Sequence, residues 1–274
     1  MERKKNILMI KALLFANIKA NWGAWLFVTL ILLIYVSTSV TMYDPASVEK
    51  MEDMFKLLPE GMLKAFGFDS LGSNLTEYLA HYLYGFIMLV FPVIYIVLAS
   101  NKLVVKHVDS GSMAYLLTTP NSRIKIASNQ AFYLLVSLAL LFIVDVGILV
   151  ALSVSMFPGM LDVGKFLALN AITYLVLAVI CGIGFFFSCL FSDTRNSIAF
   201  GGGIPAIFLM VKMVSEISSK LEWLKYLTIY KFINIDRIMN DNTYVATTGL
   251  ILIGVSSVLF LGAIRIFDRK SLTI

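Results

Sequence analysis

Residues 131–154 read AFYLLVSLALLFIVDVGILVALSV, an apolar run broken by one charge, Asp145. At about 1.5 Å of rise per helical residue, some 20 apolar residues cross the ~30 Å hydrocarbon layer of a bilayer. Five more runs of this kind occur, so the expected spans are 22–42, 82–99, 131–156, 166–191, 198–217 and 244–266. Composition agrees: 59% of residues are hydrophobic and 14% charged, against about a quarter charged in a soluble domain. The expected fold is an all-α integral membrane bundle with six transmembrane helices, one domain over 1–274.

Orientation follows from the basic residues. With the N-terminus inside, Arg3, Lys4, Lys5, Lys11, Lys19, Lys102, Lys106, Arg123, Lys125, Arg195, Arg265, Arg269 and Lys270 fall on inner segments, thirteen of the 22 Lys and Arg. Each inner loop carries part of that excess, so both termini are expected in the cytoplasm, in a bacterial plasma membrane. The net charge of +5 is accounted for by these loops and calls for no nucleic acid. The first span is longer than a signal-peptide core and starts well after the basic region, so it is expected to stay uncleaved.

Ahead of it, NILMIKALLFANIKAN sets Ile7, Ile10, Leu14 and Ile18 near one helical face and Lys4 and Lys11 on another. That pattern predicts a helix lying in the membrane interface over 1–21; a basic N-terminus running straight into the span also fits. On the outer side, Asp44 and Pro45 open an amphipathic helix with Val48, Met51, Phe55 and Leu58 on one face, ended by Pro59. A second amphipathic stretch, 221–241, offers Trp223, Tyr226 and Tyr230 to the interface.

Between the second and third spans the chain turns polar: HVDSGSMAYLLTTPNSRIKI, residues 107–126. Asp109 or Ser110 is placed to cap a short helix through Leu117. Thr119 is placed to cap the next, with Pro120 at its first position, where a missing N–H costs nothing. The short helix then presents Met113, Tyr115, Leu116 and Leu117 at the cytoplasmic surface, an apolar knob suited to a groove on a partner protein. A solvated loop that only reverses the chain fits as well.

The same stretch resembles the first cytoplasmic loop of type-2 permeases of ATP-binding-cassette (ABC) exporters. An acidic residue, Gly-Ser, a Leu-Leu pair, a Pro and an Arg stand here as Asp109, Gly111, Ser112, Leu116, Leu117, Pro120 and Arg123. The basic ending IRIFDRKSLTI and the six-span plan extend the likeness over the whole chain. The family often has Glu at the place of Asp109 and Lys near Gln130, so the subfamily and its cargo stay open. The resemblance implies that the segment 100–130 is a coupling hairpin seated on a separate ABC ATPase subunit, two copies per transporter, beside a second permease copy, identical or related. ATP and Mg would be held by that partner: no G-x-x-x-x-G-K-[ST] pattern occurs in this chain. No catalytic residue, directly bound cofactor or metal cluster is expected; His81 and His107 lie at opposite ends of a span.

Two deep charges stand out, Asp145 in the third span and Lys212 in the fifth, similarly far along their helices. Intramembrane charges are functional candidates by default. They suit a mutual pair, or Lys212 pairs with Glu216 one turn on while Asp145 finds another polar group. Gly201, Gly202, Gly203 and Pro205 open the fifth span, where they permit either a bending, gating helix or close helix packing. The resemblance places this span at the central cavity, favouring gating. Spans this apolar lack the convergent polar groups a sugar or nucleotide needs, so a hydrophobic or amphipathic cargo, peptide or antibiotic, is expected. The alternatives are an ion-coupled secondary transporter using Asp145, an exporter of lipid-linked glycan, and an intramembrane enzyme, for which no catalytic pair is evident.

Overall fold

The computed structural model describes residues 10–44, 60–65 and 74–271. Among the described residues all regular structure is helical, with six helices long and apolar enough to span a membrane. Helix α1 is Lys11–Met42, α2 Glu60–Ala65, α3 Leu75–Tyr84, α4 Ile87–Leu103, α5 Val105–Asp109 and α6 Met113–Leu117. Helix α7 is Arg123–Met156, α8 Val163–Leu190, α9 Thr194–Ile217, α10 Ile235–Asn240 and α11 Asn242–Arg269. Two 3-10 helices, Ser219–Leu227 and Ile229–Phe232, fill the connection after α9.

Helix α1 runs unbroken for 32 residues. Residues 11–21 are thus the first turns of the span helix, with no break setting off an interfacial segment, and residues 1–9 lie outside the described residues. The amphipathic helix expected from Asp44 to Leu58 also falls outside them, apart from Asp44 itself. In the second stretch, Trp223 and Tyr226 are exposed as expected. Tyr230 is not: it turns inward and is 1% exposed.

The core lies where α1, α4, α7, α8 and α11 meet, with α11 packed along α8 and α1 along α7. Hydrogen bonds between helices supplement packing, as expected where lipid supplies no hydrophobic drive between spans. Trp25 Nε1 donates to the Ser137 carbonyl at 2.9 Å, Tyr95 Oη to Ser137 Oγ at 2.7 Å, and Tyr84 Oη to Asn170 Oδ1. Gln130 accepts from Asn17 and donates to the Leu103 carbonyl at 3.0 Å, joining three helices.

A break precedes the second span-length helix, which covers Ile87–Asp109 rather than starting at residue 82. Helix α3 stops at Tyr84, and α4 restarts at Ile87 after Gly85 and Phe86. The amides of Leu89 and Val90 both turn to the Phe86 carbonyl, leaving the Gly85 carbonyl outside the helical ladder. Gly85 is buried, and a buried backbone carbonyl outside a helix needs a partner. Here Lys212 Nζ is that partner, at 3.1 Å.

Candidate functional site

Helices α5 and α6 form the polar hairpin between the second and third spans. The joint at Val104 frees backbone groups that neighbours take up: the Val105 amide donates to Ser188 Oγ at 3.1 Å, and Ser188 Oγ donates to the Ser100 carbonyl at 2.8 Å. Gly111 has φ +71°, the left-handed region that glycine enters at no steric cost, so the turn between α5 and α6 needs a glycine here.

The caps differ from expectation. Asp109 ends α5 and caps nothing within the hairpin. Its carboxylate accepts from Thr194 N at 3.2 Å and Thr194 Oγ1 at 2.7 Å, at the first residue of α9. Ser112 precedes α6 without a capping bond; its Oγ instead meets His107 Nδ1 and Ser110 Oγ, both at 2.9 Å. Thr119 Oγ1 donates back to the Leu116 carbonyl at 2.6 Å, and Pro120 sits exposed in the turn. Helix α7 begins three residues beyond Pro120, at Arg123, capped by Ser122, whose Oγ accepts from Lys125 N at 3.3 Å. A cap needs extended backbone, and Ser122 has it, with φ −68° and ψ 154°.

The apolar knob splits in two. Tyr115 is 80% exposed, while Met113 is buried and Leu116 and Leu117 rest partly against the core. A helix of five residues laid on the bundle must turn one side inward, and Met113 is on that side.

A clasp braces the hairpin from behind. Arg123 Nη1 donates to the Lys270 carbonyl at 2.6 Å, and Lys270 Nζ donates to the carbonyls of Cys189 and Phe191 at 3.1 and 2.7 Å. Burial holds the Lys270 ammonium below the usual lysine range. At the turn from α8 into α9, Asp193 caps α9. The Asn196 amide, donating to it at 2.8 Å, holds its carboxyl below the ordinary range. Hairpin, C-terminal segment and the α8–α9 turn are thus one hydrogen-bonded unit.

That unit feeds into a close contact of α4, α8 and α9. A Cβ on Gly201 would lie 3.3 Å from the Gly184 Cα, one on Gly202 3.0 Å from Val97 Cγ1, and one on Gly184 2.8 Å from Ser100 Oγ. Just below, Ser197 Oγ donates to Asn101 Oδ1 at 2.6 Å. Gly201 and Gly202 therefore serve close packing, whereas Gly203 faces open space. Pro205 lies inside a helix that continues to Ile217.

A family model described as ABC-2 family transporter protein matches residues 12–272. The chain belongs to this family. No curated relative matches it. It is accordingly a multi-pass membrane permease of an ABC transporter.

The deep charges of this ABC-2 permease do not meet. Lys212 binds Glu216, at 2.8 and 3.0 Å to its two oxygens, as well as Gly85. Asp145 is fully buried, and neither carboxyl oxygen has a hydrogen-bond partner. Of the two arrangements open to the sequence, the structure has the one within a single helix turn for Lys212, and gives Asp145 no polar neighbour to bond. Thr194, Ser188, Gly184 and Lys270 were not singled out from sequence. Their roles depend on partners on other elements, some 80 residues away for Thr194, Ser188 and Lys270, and no local signal marks them.

Proposed function

We propose that the chain is the membrane subunit of an ATP-driven exporter, that the hairpin side is cytoplasmic, and that Tyr115 and the exposed part of α6 seat on a separate ABC ATPase. The observation that carries this reading is the bond between Asp109 and Thr194. It ties the hairpin to the first residue of α9, so a push on α6 is delivered to two spans together, through backbone that the Gly184–Gly201 contact keeps tight. The ATPase supplies ATP and Mg; this chain supplies the lever and the path. Two permease copies and two ATPases make the working unit, which uses the exposed apolar faces of α1 and α9.

The cargo is hydrophobic or amphipathic, a peptide or a membrane-active antibiotic. Supporting this, the surface between α7 and α8 is an apolar groove of about 510 Å³, lined by residues such as Phe142, Val146, Val150 and Leu167. The test is ATP hydrolysis by the reconstituted complex. Amphipathic helical peptides should raise turnover at concentrations that leave the membrane intact. Stimulation by polar solutes or lipid-linked sugars alone would overturn the cargo assignment.

An ion-coupled reading draws support from the unpartnered carboxyl of Asp145. It requires transport driven by an ion gradient without ATP, which the same proteoliposomes measure.

A further inference from the structure

The tip of the hairpin, residues 110–122, leaves the bundle after Asp109 and returns to it at Arg123. At the leaving end, Asp109 accepts from Thr194. At the returning end, Arg123 Nη1 donates to the Lys270 carbonyl at 2.6 Å, and Lys270 Nζ donates to the Phe191 carbonyl at 2.7 Å. Phe191 and Thr194 belong to the same short stretch, where α8 passes into α9. Both ends of the tip are therefore fastened to one turn. The first fastening is direct, and the second passes through Lys270.

The chemistry of helix ends accounts for the second. The last carbonyls of a helix lack partners within it and carry the negative end of its dipole, which favours a cation there. Lys270 is the residue that ends α11, yet its ammonium meets the carbonyls at the end of α8, those of Cys189 and Phe191. The carbonyl of Lys270, at the end of α11, is taken in turn by Arg123 from the start of α7. Each cation closes a helix other than its own, so α7, α8 and α11 are locked at one level. Arg265 and Arg269 are exposed on α11, whereas Lys270 is half-buried and turns into the bundle. A lever held at one end pivots under load. Held at both ends on the same turn, it passes the load on.

We propose that Lys270 is a positioning residue for coupling. Its ammonium fixes the returning end of the tip to the turn that already holds the leaving end, so the tip moves as one body with the start of α9. This rests on the coupling reading above, in which α6 seats on the ATPase. Lys270 acts through Arg123 and Phe191.

The experiment uses the full-length permease reconstituted with its ATPase in proteoliposomes. A bimane label on Val214→Cys, an exposed position at the end of α9 away from the hairpin, reports movement of that helix. Its emission should shift when ATP and vanadate trap the ATPase. Cys181 and Cys189 are buried and stay unlabelled. Lys270→Met should cut the shift about fivefold, the effect of losing a hydrogen bond from a charged group, with ATPase co-purification unchanged. Lys270→Arg should restore the shift to within about twofold, because a guanidinium donates to the same carbonyls. Lys270→Met with Asp109→Ala should be no worse than the more damaged single, since opening either fastening frees the tip. Should Lys270→Met fail to insert, Lys270→Gln, which keeps an N–H donor, takes its place in the same comparison. A wild-type shift in Lys270→Met, with the shift lost in Asp109→Ala, overturns the role of Lys270 and leaves the coupling reading standing. Loss of ATPase co-purification, or a lost shift that Lys270→Arg does not recover, makes Lys270 a brace for folding alone and overturns the proposal. No shift in the wild-type complex removes the coupling reading and the role of Lys270 together.

Discussion

Lys212 and Gly85 are joined across 127 residues of sequence, the ammonium of one donating to the carbonyl of the other at 3.1 Å. The bond satisfies the backbone group freed at the break before the second span, and Glu216 neutralises the charge that does so. Lys212→Met should cost about 1.5–3 kcal/mol, the range for a hydrogen bond to a charged group, read as a lower melting temperature in detergent. Because Lys212 and Glu216 share one interaction, Lys212→Met with Glu216→Gln should cost less than the sum of the singles. Lys212→Met with Asp145→Asn should be additive to within about 0.5 kcal/mol. Strong coupling in that second cycle would restore the pairing of the two deep charges.

Tyr115 is the contact residue to alter for ATPase binding. Leu116 packs partly on the core, so Leu116→Asp disturbs the hairpin and its partner at once. Tyr115→Ala removes an exposed ring alone. Losing its burial against a partner, about 1.5–3 kcal/mol, weakens ATPase association about 10- to 100-fold in co-purification titrations, with membrane insertion unchanged.

The Asp109–Thr194 bond should carry coupling rather than assembly. Asp109→Ala and Thr194→Val are each expected to leave ATPase binding and basal hydrolysis in place while cutting cargo-stimulated turnover several-fold. The double variant should be no worse than the more damaged single, because both remove the same link. Additive losses would mean that the two residues act apart.

Gly201 and Gly203 of α9 should separate cleanly. Gly203→Ala meets nothing within 4 Å and should stabilise by up to about 1 kcal/mol through helix propensity. Gly201→Leu drives a side chain into the Gly184 backbone and should abolish folding or transport. Equal tolerance at both positions would show that α8 and α9 do not touch as described.

Asp193 predicts an acid limb. Its carboxyl is held low in the fold, first by the Asn196 amide, so its contribution is complete above the ordinary carboxylate range. It is lost as pH falls through the lowered value. Between about pH 5 and pH 3 the wild type should lose more thermal stability than Asp193→Asn.

The spans, the helical class and the polar hairpin were legible in the sequence because each is a local property. Run length against bilayer thickness decides the first, and glycine, serine and proline in a greasy context decide the last. What the sequence left open was every question answered across helices. Lys212 had two possible partners, and tertiary packing chose Glu216 and the Gly85 carbonyl because the break before the second span lies beside α9. The sequence pointed to Thr119 as the cap before α7, and the extended backbone at Ser122 gives the role to Ser122 instead. Tyr230 read as an interfacial ring and is inside, because the 3-10 helices pack back against α8 and α9. In a bilayer, burial against lipid and burial against protein select the same residues. An apolar pattern therefore specifies that a helix crosses, while only the hydrogen bonds and close contacts between helices decide which face meets which neighbour.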